Sequence, residues 1–271
     1  MATLEGKKII VIGGTSGIGY AVAKGALLSR AAHVLVASSS PDKVKRAVVR
    51  LCAEPALQDQ QGLDKRVQGE VVDMKDSKAV KAFVAGAGEV DHLVITSGRY
   101  EGMIDFKNGD LDSMRGAYRG PVQRGHGAYS CMYAAGVFDD RFWGAAAAAQ
   151  AAKLRTGGSI TFTIGTVLHR PLPNGALATS MTGTLDAFTR ALALELAPIR
   201  VNVVSPGAVQ TELWDALPAE MRAPMIKNLV EKLPVKHVAG PEEVAEAYLF
   251  LMKCGYMTGK RIDVEGGALL V

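Results

Sequence analysis

The chain has 271 residues, of which 48% are hydrophobic and 21% are charged. This is enough apolar material for a large buried core, so the composition excludes a disordered chain and a small disulfide-stapled protein. The net charge is +4, but Lys and Arg are interleaved with Asp and Glu along the sequence, which argues against a nucleic-acid-binding protein.

The first hundred residues alternate between apolar strands and helices. The hydrophobic pattern predicts strands at Lys7–Ile12, His33–Ala37, Val67–Asp73 and Asp91–Thr96. Between them it predicts helices at Tyr20–Leu28, Pro41–Cys52 and Asp76–Ala85. Strands that alternate with helices require crossover connections, which are typical of a parallel sheet covered on both faces.

The alternation continues in the second half of the chain. Helices are predicted at Phe138–Leu154, Ala176–Leu196 and Pro241–Lys253, and strands at Ser159–Ile164, Arg200–Val204 and Lys260–Val264. The sequence therefore predicts an α/β fold, a single doubly wound domain over residues 1–271 with a parallel sheet of about seven strands flanked by helices.

Two segments depart from this alternation. Residues 118–137 have no clear period and predict an irregular insertion, which is either a substrate lid or an artefact of the gene model. Residues 211–235 contain amphipathic pieces after a Pro-Gly turn. These pieces form either a helical flap over a site or a plain surface helix.

A glycine-rich segment joins the first predicted strand to the first predicted helix. Gly13 permits the tight turn, Gly17 lets the backbone approach a pyrophosphate, and Gly19 allows the helix to pack closely on the strand. Free N–H groups and the helix dipole attract phosphate at this point. The segment predicts a dinucleotide site formed by Gly13, Thr15, Ser16, Gly17, Ile18 and Gly19.

The end of the second predicted strand favours NADP(H) over NAD(H). An acidic residue there would bind the ribose hydroxyls and repel a 2′-phosphate. This chain instead has three serines and a lysine that can receive a phosphate, namely Ser38, Ser39, Ser40 and Lys43. The serines are also ordinary loop residues. Asp42 is expected to cap the next helix, and Asp73, at the end of the third strand, to bind the adenine amino group.

Several spaced motifs together resemble the short-chain dehydrogenase/reductase family over essentially the whole chain. They are the glycine turn, Asp73, Thr96-Ser97-Gly98 where the family has Asn-Ala-Gly, Arg200-Val201-Asn202-Val203-Val204-Ser205-Pro206-Gly207, Thr258-Gly259 and Gly266-Gly267. The resemblance implies a Rossmann fold and an NADP(H)-dependent oxidoreductase. It also implies that the nicotinamide end is lined by Ser97 and Gly98 and that its carboxamide is bordered by Pro206, Gly207, Val209 and Thr211.

The same alignment puts unusual residues where the family has its reactive groups. The family's Tyr-x-x-x-Lys falls on Ala178 and Thr182, and its carbonyl-orienting serine falls on about Gly165. In the family the lysine lowers the pKa of the tyrosine, which protonates the alkoxide as hydride arrives. The sequence therefore predicts a non-standard active site, in which Thr163 or Thr166 could offer a hydroxyl; Thr166 is the candidate in a catalytic role.

Arg141 stands where the family has an asparagine on a helix. A buried, unpaired guanidinium is costly, so Arg141 either binds an anionic or carbonyl group of a ligand or pairs with Asp139, Asp140 or Glu195. The first alternative makes Arg141 a candidate catalytic residue. Lost catalytic groups together with this arginine resemble atypical family members from fungal natural-product pathways, in which an NADP(H)-binding scaffold serves an unusual reduction or cyclisation.

Three other side chains are weaker candidates. His169 follows the fifth predicted strand and could act as an acid, although a surface position is favoured. Trp143 and Trp214 could stack on an aromatic substrate, although Trp143 is expected in the core. No nucleophile elbow is present in the sequence, so a hydrolase is not predicted.

Three functions follow from these residues. The favoured one is NADPH-dependent reduction of an imine, an iminium or an activated carbonyl in secondary metabolism. The alternatives are a non-redox cyclase of the cycloaddition type and a catalytically inactive NADP(H)-binding regulator.

Partners and location are predicted from composition and from the resemblance. We expect a small-molecule substrate, and a homo-oligomer (dimer or tetramer) that pairs through the Ala-rich helix after Phe142 and through Leu185–Leu196. Three widely spaced cysteines favour a reducing compartment and argue against a structural metal. The N-terminus lacks a signal-peptide pattern, and the longest apolar stretch is too short to span a bilayer, so a cytoplasmic location without a membrane partner is expected.

Overall fold

A seven-stranded parallel sheet forms the centre of the protein. The computed structural model describes residues 3–60, 62–98, 138–216 and 218–271, so the insertion predicted at 118–137 lies outside the described residues. The strands are β1 (Lys8–Ile12), β2 (His33–Ser38), β3 (Val67–Val71), β4 (Glu89–Ile95), β5 (Lys153–Thr163), β6 (Arg200–Pro206) and β7 (Arg261–Val264). Their spatial order is β3-β2-β1-β4-β5-β6-β7. This order confirms the predicted doubly wound α/β fold.

Helices cover both faces of the sheet. They are α1 (Gly17–Leu28), α2 (Pro41–Cys52), α3 (Leu63–Arg66), α4 (Ser77–Gly86), α5 (Gly144–Ala151), α6 (Ala176–Glu195), α7 (Ala219–Lys232) and α8 (Pro241–Lys253). Short 3₁₀ turns occur at Pro55–Leu57, Thr166–Leu168 and Glu212–Ala216, and a π-helical turn at Asp139–Trp143. None of the helices in the described part of the chain combines the length and the apolar character needed to cross a bilayer.

Alternate residues of each strand pack into opposite layers. In β1, Ile9 and Val11 pack with α1 and α8, whereas Ile10 and Ile12 pack with α4, α5 and α6. Because both faces are covered, the strand reads as a continuous apolar run rather than as an alternating one.

The start of α2 corrects one prediction. Ser40, not Asp42, is the N-cap, and its hydroxyl accepts a hydrogen bond from the backbone N–H of Lys43 at 3.4 Å. Pro41 takes the first helical position, which suits its fixed φ, so the residue before it must be the cap. Asp42 lies in the first turn, where the helix dipole favours a negative charge.

Other boundaries also differ from the predictions. The helix expected over Phe138–Leu154 consists of the π-helical turn and α5, and it ends at Ala151. The next residues belong to β5, because Lys153 and Leu154 pair with Glu89 and Val90 of β4 before an irregularity in the register. At the other side of the sheet β3 ends at Val71, so Asp73 follows the strand rather than ending it.

Asp91 lies buried near the amino end of β4. Its carboxylate accepts hydrogen bonds from the backbone N–H of Lys8 at 2.9 Å, from the ammonium of Lys7 at 3.0 Å and from the guanidinium of Arg155 at 3.1 Å. Burial acts to raise the pKa of Asp91, but these donors outweigh it and lower the pKa below its ordinary value.

His92 and Arg200 occupy the same buried region. The Nδ1 atom of His92 lies 2.9 Å from the hydroxyl of Ser159. Burial, reinforced by the charge of Arg200, lowers the pKa of His92 to about 4. Arg200 donates to the carbonyl oxygens of Leu251 and Met252 at 2.6 and 3.0 Å, which satisfies acceptors in the last turn of α8.

Candidate functional site

A cavity of about 1150 Å³ opens at the carboxyl ends of the strands. It lies where the chain order reverses, between the neighbouring strands β1 and β4, which is the position at which doubly wound sheets bind ligands. All predicted cofactor residues line it: Gly13, Thr15, Ser16, Gly17, Ile18, Gly19, Ser38, Ser39, Ser40, Lys43, Asp73, Ser97, Gly98, Pro206, Gly207, Val209 and Thr211. Among the described residues no group of His, Cys, Asp and Glu has the arrangement of a metal site.

The glycine turn is held by close backbone contacts that leave no room for side chains. Gly13 has φ +88°, and a Cβ there would lie 2.5 Å from the backbone nitrogen of Ser97. A Cβ at Gly19 would collide with the carbonyl oxygen of Gly13. The hydroxyl of Thr96 donates to the carbonyl of Ile12 at 3.2 Å and so ties the end of β1 to the segment after β4. The turn therefore exposes backbone to the cavity, which is the arrangement that a pyrophosphate requires.

The segment after β6 is fixed along another wall of the cavity. Gly207 donates its backbone N–H to the carbonyl of Val264 at 2.9 Å, and Gln210 donates to Ala239 at 2.9 Å. A carboxylate oxygen of Glu212 then accepts a hydrogen bond from the backbone N–H of Gly17 at 2.8 Å. Sequence reasoning missed Glu212, because 195 residues separate the two partners.

The adenosine end of the cavity is more cationic than the sequence analysis recognised. Lys43 is joined there by Arg46, and Arg50, also from α2, lines the cavity nearer the glycine turn. The spacings of three and four residues place these side chains along one face of the helix, so the helical period could have revealed them. Asp73 orients its carboxylate by accepting the backbone N–H of Lys75 at 3.0 Å.

The opposite end of the cavity carries the candidate reactive groups. Arg141 lies in the π-helical turn, lines the cavity and packs on Gly98, where a Cβ would lie 2.5 Å from its guanidinium carbon. Single π-helical turns recur at functional sites. The hydroxyl oxygen of Ser97 is buried and has no hydrogen-bond partner among the described residues. An orphaned hydroxyl beside a glycine cradle fits a bound nicotinamide dinucleotide.

The positions of the family's tyrosine and lysine supply no proton donor to the cavity. Ala178 does not line it, and Thr182 is buried and donates its hydroxyl to the carbonyl of Thr179 at 2.7 Å. Thr163 lines the cavity but donates its hydroxyl to the carbonyl of Ile95 at 2.8 Å. Its oxygen also lies 2.8 Å from the buried hydroxyl of Tyr248.

Thr166 and Gly165 leave this end of the cavity open. Thr166 lines the cavity at the start of its 3₁₀ turn, as predicted for a candidate hydroxyl. At Gly165 the nearest atom to a Cβ would be the carbonyl oxygen of Pro206, 3.9 Å away. A larger side chain would therefore fit at residue 165.

The three weaker candidates occupy different positions relative to the cavity. His169 is exposed and does not line the cavity, which agrees with the surface alternative. Trp214 lines the cavity. The core position predicted for Trp143 is wrong: it is 57% exposed, and its ring meets Phe142 edge to face at 4.9 Å. Phe142, rather than its neighbour, packs towards the core and contacts Phe188.

Three known proteins resemble this chain over nearly the full length of each chain. The chain is 34% identical, over the full length of both proteins, to the short-chain dehydrogenase/reductase ATR9 of Stachybotrys chlorohalonatus. The solved structure of the MalC reductase/Diels-Alderase from Malbranchea aurantiaca is 29% identical, with a TM-score of 0.80 over 99% of this chain and 98% of that one. A small-chain dehydrogenase solved in complex with NADPH is 30% identical, with a TM-score of 0.72 over 98% of this chain and 100% of that one.

These relatives bear out two predictions. The expected likeness to fungal members of the family is confirmed by ATR9 and MalC. The predicted cofactor class is the one named for the solved NADPH complex. The family model described as an SDR-like Rossmann domain matches residues 2–271. With its glycine turn, its sheet order and these relatives, the chain belongs to the short-chain dehydrogenase/reductase family.

Proposed function

We propose that the protein is an NADP(H)-dependent oxidoreductase with a non-standard active site, which reduces an imine, an iminium or an activated carbonyl in secondary metabolism. One observation carries the proposal. A cavity suited to a nicotinamide dinucleotide presents Arg141 at its reacting end, while the hydroxyl of Thr182 is bonded within its own helix and Ala178 lies outside the lining.

The absence of a tyrosine and lysine at these positions selects the substrate class. When bound, NADPH supplies a hydride. An iminium that gains a hydride becomes a neutral amine and needs no proton from the protein, and an imine meets this condition once it has taken a proton from water to become an iminium. A simple ketone instead becomes an alkoxide that must be stabilised. Substrates whose reduction leaves no strongly basic oxygen therefore suit this site.

The protein's own residues bind and orient. The glycine turn holds the pyrophosphate through backbone N–H groups, while the serines after β2 together with Lys43 receive the 2′-phosphate. Arg141 orients a carbonyl or anionic group of the substrate, and Thr166, which also lines the cavity, offers a hydroxyl to the substrate. The hydroxyl of Ser97 binds the nicotinamide end.

A direct assay tests the proposal. Purified protein is incubated with NADPH and a panel of cyclic imines and iminium salts, each matched to the ketone of the same ring, and the cofactor absorbance is followed. We expect turnover of imines and iminium salts, with the ketones much slower. No turnover across a broad panel, or ketones reduced as fast as imines, contradicts the proposal.

A non-redox cyclase is a second candidate because space is open at Gly165. MalC, whose name joins reductase and Diels-Alderase, is a similar protein. In this case the cavity would accelerate ring closure by positioning alone. Product that forms without oxidation of NADPH would support the cyclase over the reductase.

Restoring the family's pair tests the same end of the cavity. Ala178→Tyr with Thr182→Lys should reduce activity on a bulky native substrate, because the added side chains take up space near the reacting end. Weak ketone reduction should appear in the same variant. If the double variant keeps full native activity, the substrate does not use this space.

We also propose that the protein is a cytoplasmic homo-oligomer. Leu194 on α6 is 83% exposed, as an apolar side chain at a subunit contact would be in the isolated chain. Sedimentation analysis tests the assembly, and a monomer contradicts it.

A further inference from the structure

The start of α1 binds a carboxylate that comes from a distant part of the chain. Glu212 opens the 3₁₀ turn after β6, and its Oε2 atom accepts the backbone N–H of Gly17 at 2.8 Å. Gly17 is the first residue of α1, and both residues line the same cavity.

No other acidic group serves this helix start in the described structure. Ser16 is the N-cap but makes no side-chain capping hydrogen bond, and the first turn of α1 contains no acidic residue. A helix N-terminus favours an anion because its N–H groups are free and its dipole is positive there. Glu212 supplies that anion from within the chain.

Arg50 extends the contact to α2. Its Nη1 atom lies 3.8 Å from the other carboxylate oxygen of Glu212, and its guanidinium sits 4.2 Å above the ring of Tyr20. The stacked ring holds the guanidinium in place. Glu212 thus joins the segment after β6 to both α1 and α2, and we call this contact of Glu212 with Gly17 and Arg50 the carboxylate latch.

We propose that the carboxylate latch competes with the cofactor's pyrophosphate, so that NADP(H) binds by displacing Glu212 from Gly17 and by taking over Arg50 as its counter-ion. The inference rests on the proposed NADP(H) binding. The Gly17 N–H serves either the carboxylate or a phosphate oxygen, and two anions at this point repel each other. The latch lowers the affinity of the protein for NADP(H). After the reaction, the Glu212 carboxylate binds the Gly17 N–H again and so favours dissociation of the oxidised cofactor.

The latch predicts a gain of affinity when its charge is removed. Glu212→Gln keeps the shape and can still accept the Gly17 N–H, but it no longer repels phosphate. We expect NADP(H) to bind about twofold to thirtyfold more tightly, the range that charge interactions at a helix terminus span. Arg50→Gln should weaken binding, and it should do so in the Glu212→Gln background as well.

The matched control is Asp215→Asn, which removes the same charge from the same 3₁₀ turn. Asp215 pairs with Arg222 at 2.9 Å and does not line the dinucleotide cavity. The affinity of the Asp215→Asn variant for NADP(H) should stay at the wild-type value. A gain equal to that of Glu212→Gln would mean that net charge, rather than the latch, sets the affinity, and would overturn the proposal.

Calorimetry with NADP⁺, NADPH, inorganic pyrophosphate and adenosine completes the test, with urea unfolding to verify that each variant is folded. Glu212→Gln should tighten the three phosphate ligands and leave adenosine unchanged. Unchanged or weaker binding of the phosphate ligands by folded Glu212→Gln overturns the latch. If the wild-type protein binds neither NADP⁺ nor NADPH, the proposed function fails instead, and the two failures are therefore distinguishable.

Discussion

The two ends of the parallel sheet use polar residues in opposite ways. At the amino ends, Asp91 and the two terminal nitrogens of Arg200 are hydrogen-bonded to other parts of the protein, and His92 is paired with Ser159; only the Nε atom of Arg200 lacks a partner there among these three side chains. At the carboxyl ends, polar groups face an open cavity, and the hydroxyl of Ser97 has no partner among the described residues.

This difference indicates that the polar residues at the amino ends contribute to stability and that those at the carboxyl ends contribute to function. A buried polar group with a protein partner is costly to remove, because the partner is left unsatisfied. A polar group that faces a cavity has its partner in the ligand, so its removal should affect binding or chemistry more than folding. We therefore expect substitutions at the amino ends to change stability with little effect on cofactor affinity, and substitutions at the carboxyl ends to do the reverse.

The largest effect on cofactor affinity is expected at the glycine turn. Gly19→Ala should lower NADP(H) affinity by about a hundredfold or more, because the new Cβ meets the carbonyl oxygen of Gly13 and must displace the turn. Calorimetry measures the affinity. The control is Gly86→Ala at the exposed end of α4, where a Cβ meets no atom within 4 Å and the affinity should not change. Equal affinities for the two variants would contradict the placement of the pyrophosphate.

A substitution of Arg141 tests the proposed substrate-binding end of the same cavity. If it orients substrate, Arg141→Ala should reduce turnover by roughly one to three orders of magnitude while leaving NADP(H) affinity nearly unchanged, as the loss of a charged stabiliser typically does. Steady-state kinetics and calorimetry measure the two quantities separately. Full turnover, or a protein that no longer folds, would instead make Arg141 a structural ion-pair partner.

The pH dependence of the free energy of unfolding tests the role of His92 at the amino ends of the strands. Its pKa of about 4 in the folded protein lies below the ordinary 6.5, so the unfolded chain binds the extra proton first as the pH falls. The free energy of unfolding should drop by about 2 kcal/mol between pH 7 and pH 5, with a loss that begins near pH 6.5 and ends near pH 4. Asp91, whose pKa is lowered from 3.8, loses its contribution only below this window.

The matched variant for that measurement is His92→Gln, which keeps a polar group beside Ser159 but cannot take up a proton. Urea unfolding of this variant should show no loss of stability between pH 7 and pH 5, because the raised pKa of the exposed His237 acts in the opposite direction. Its NADP(H) affinity at pH 7 should equal that of the wild type. Two results would contradict the assignment of stability to the amino ends and of binding to the carboxyl ends. One is a wild-type stability that does not change over this pH range, and the other is weakened cofactor binding by the variant.

The sequence predicted the sheet and the glycine turn because both have local signals. Pro41 and Pro241 mark the helix starts at their predicted positions, since proline fits the first helical turn. The start of β5 was hidden, because its residues follow an Ala-rich helix and become strand only by pairing with Glu89 and Val90.

The residues of the candidate site could likewise be predicted only where their signal is local in the sequence. The residues of the glycine turn are neighbours in sequence and were predicted together, whereas Glu212 reaches Gly17 only through the tertiary fold. Trp143 could not be distinguished from Phe142 by hydrophobicity, because the π-helical turn shifts which aromatic side chain faces the core. Local patterns therefore predict the elements and their turns, but not the contacts between the carboxyl ends of distant strands.

The smallest effect is expected where the cavity distinguishes the two nicotinamide cofactors. Ser38, at the end of β2, lines the cavity together with two further serines and the cationic face of α2. NADP(H) should bind about tenfold or more tightly than NAD(H), a difference of about 1.4 kcal/mol, because the 2′-phosphate gains charge-assisted hydrogen bonds. Ser38→Asp should reverse the order, since a carboxylate binds the ribose hydroxyls and repels the phosphate. Stability should change little, because this side chain faces the cavity; equal affinities for both cofactors in the wild type, measured by calorimetry, would refute the assignment.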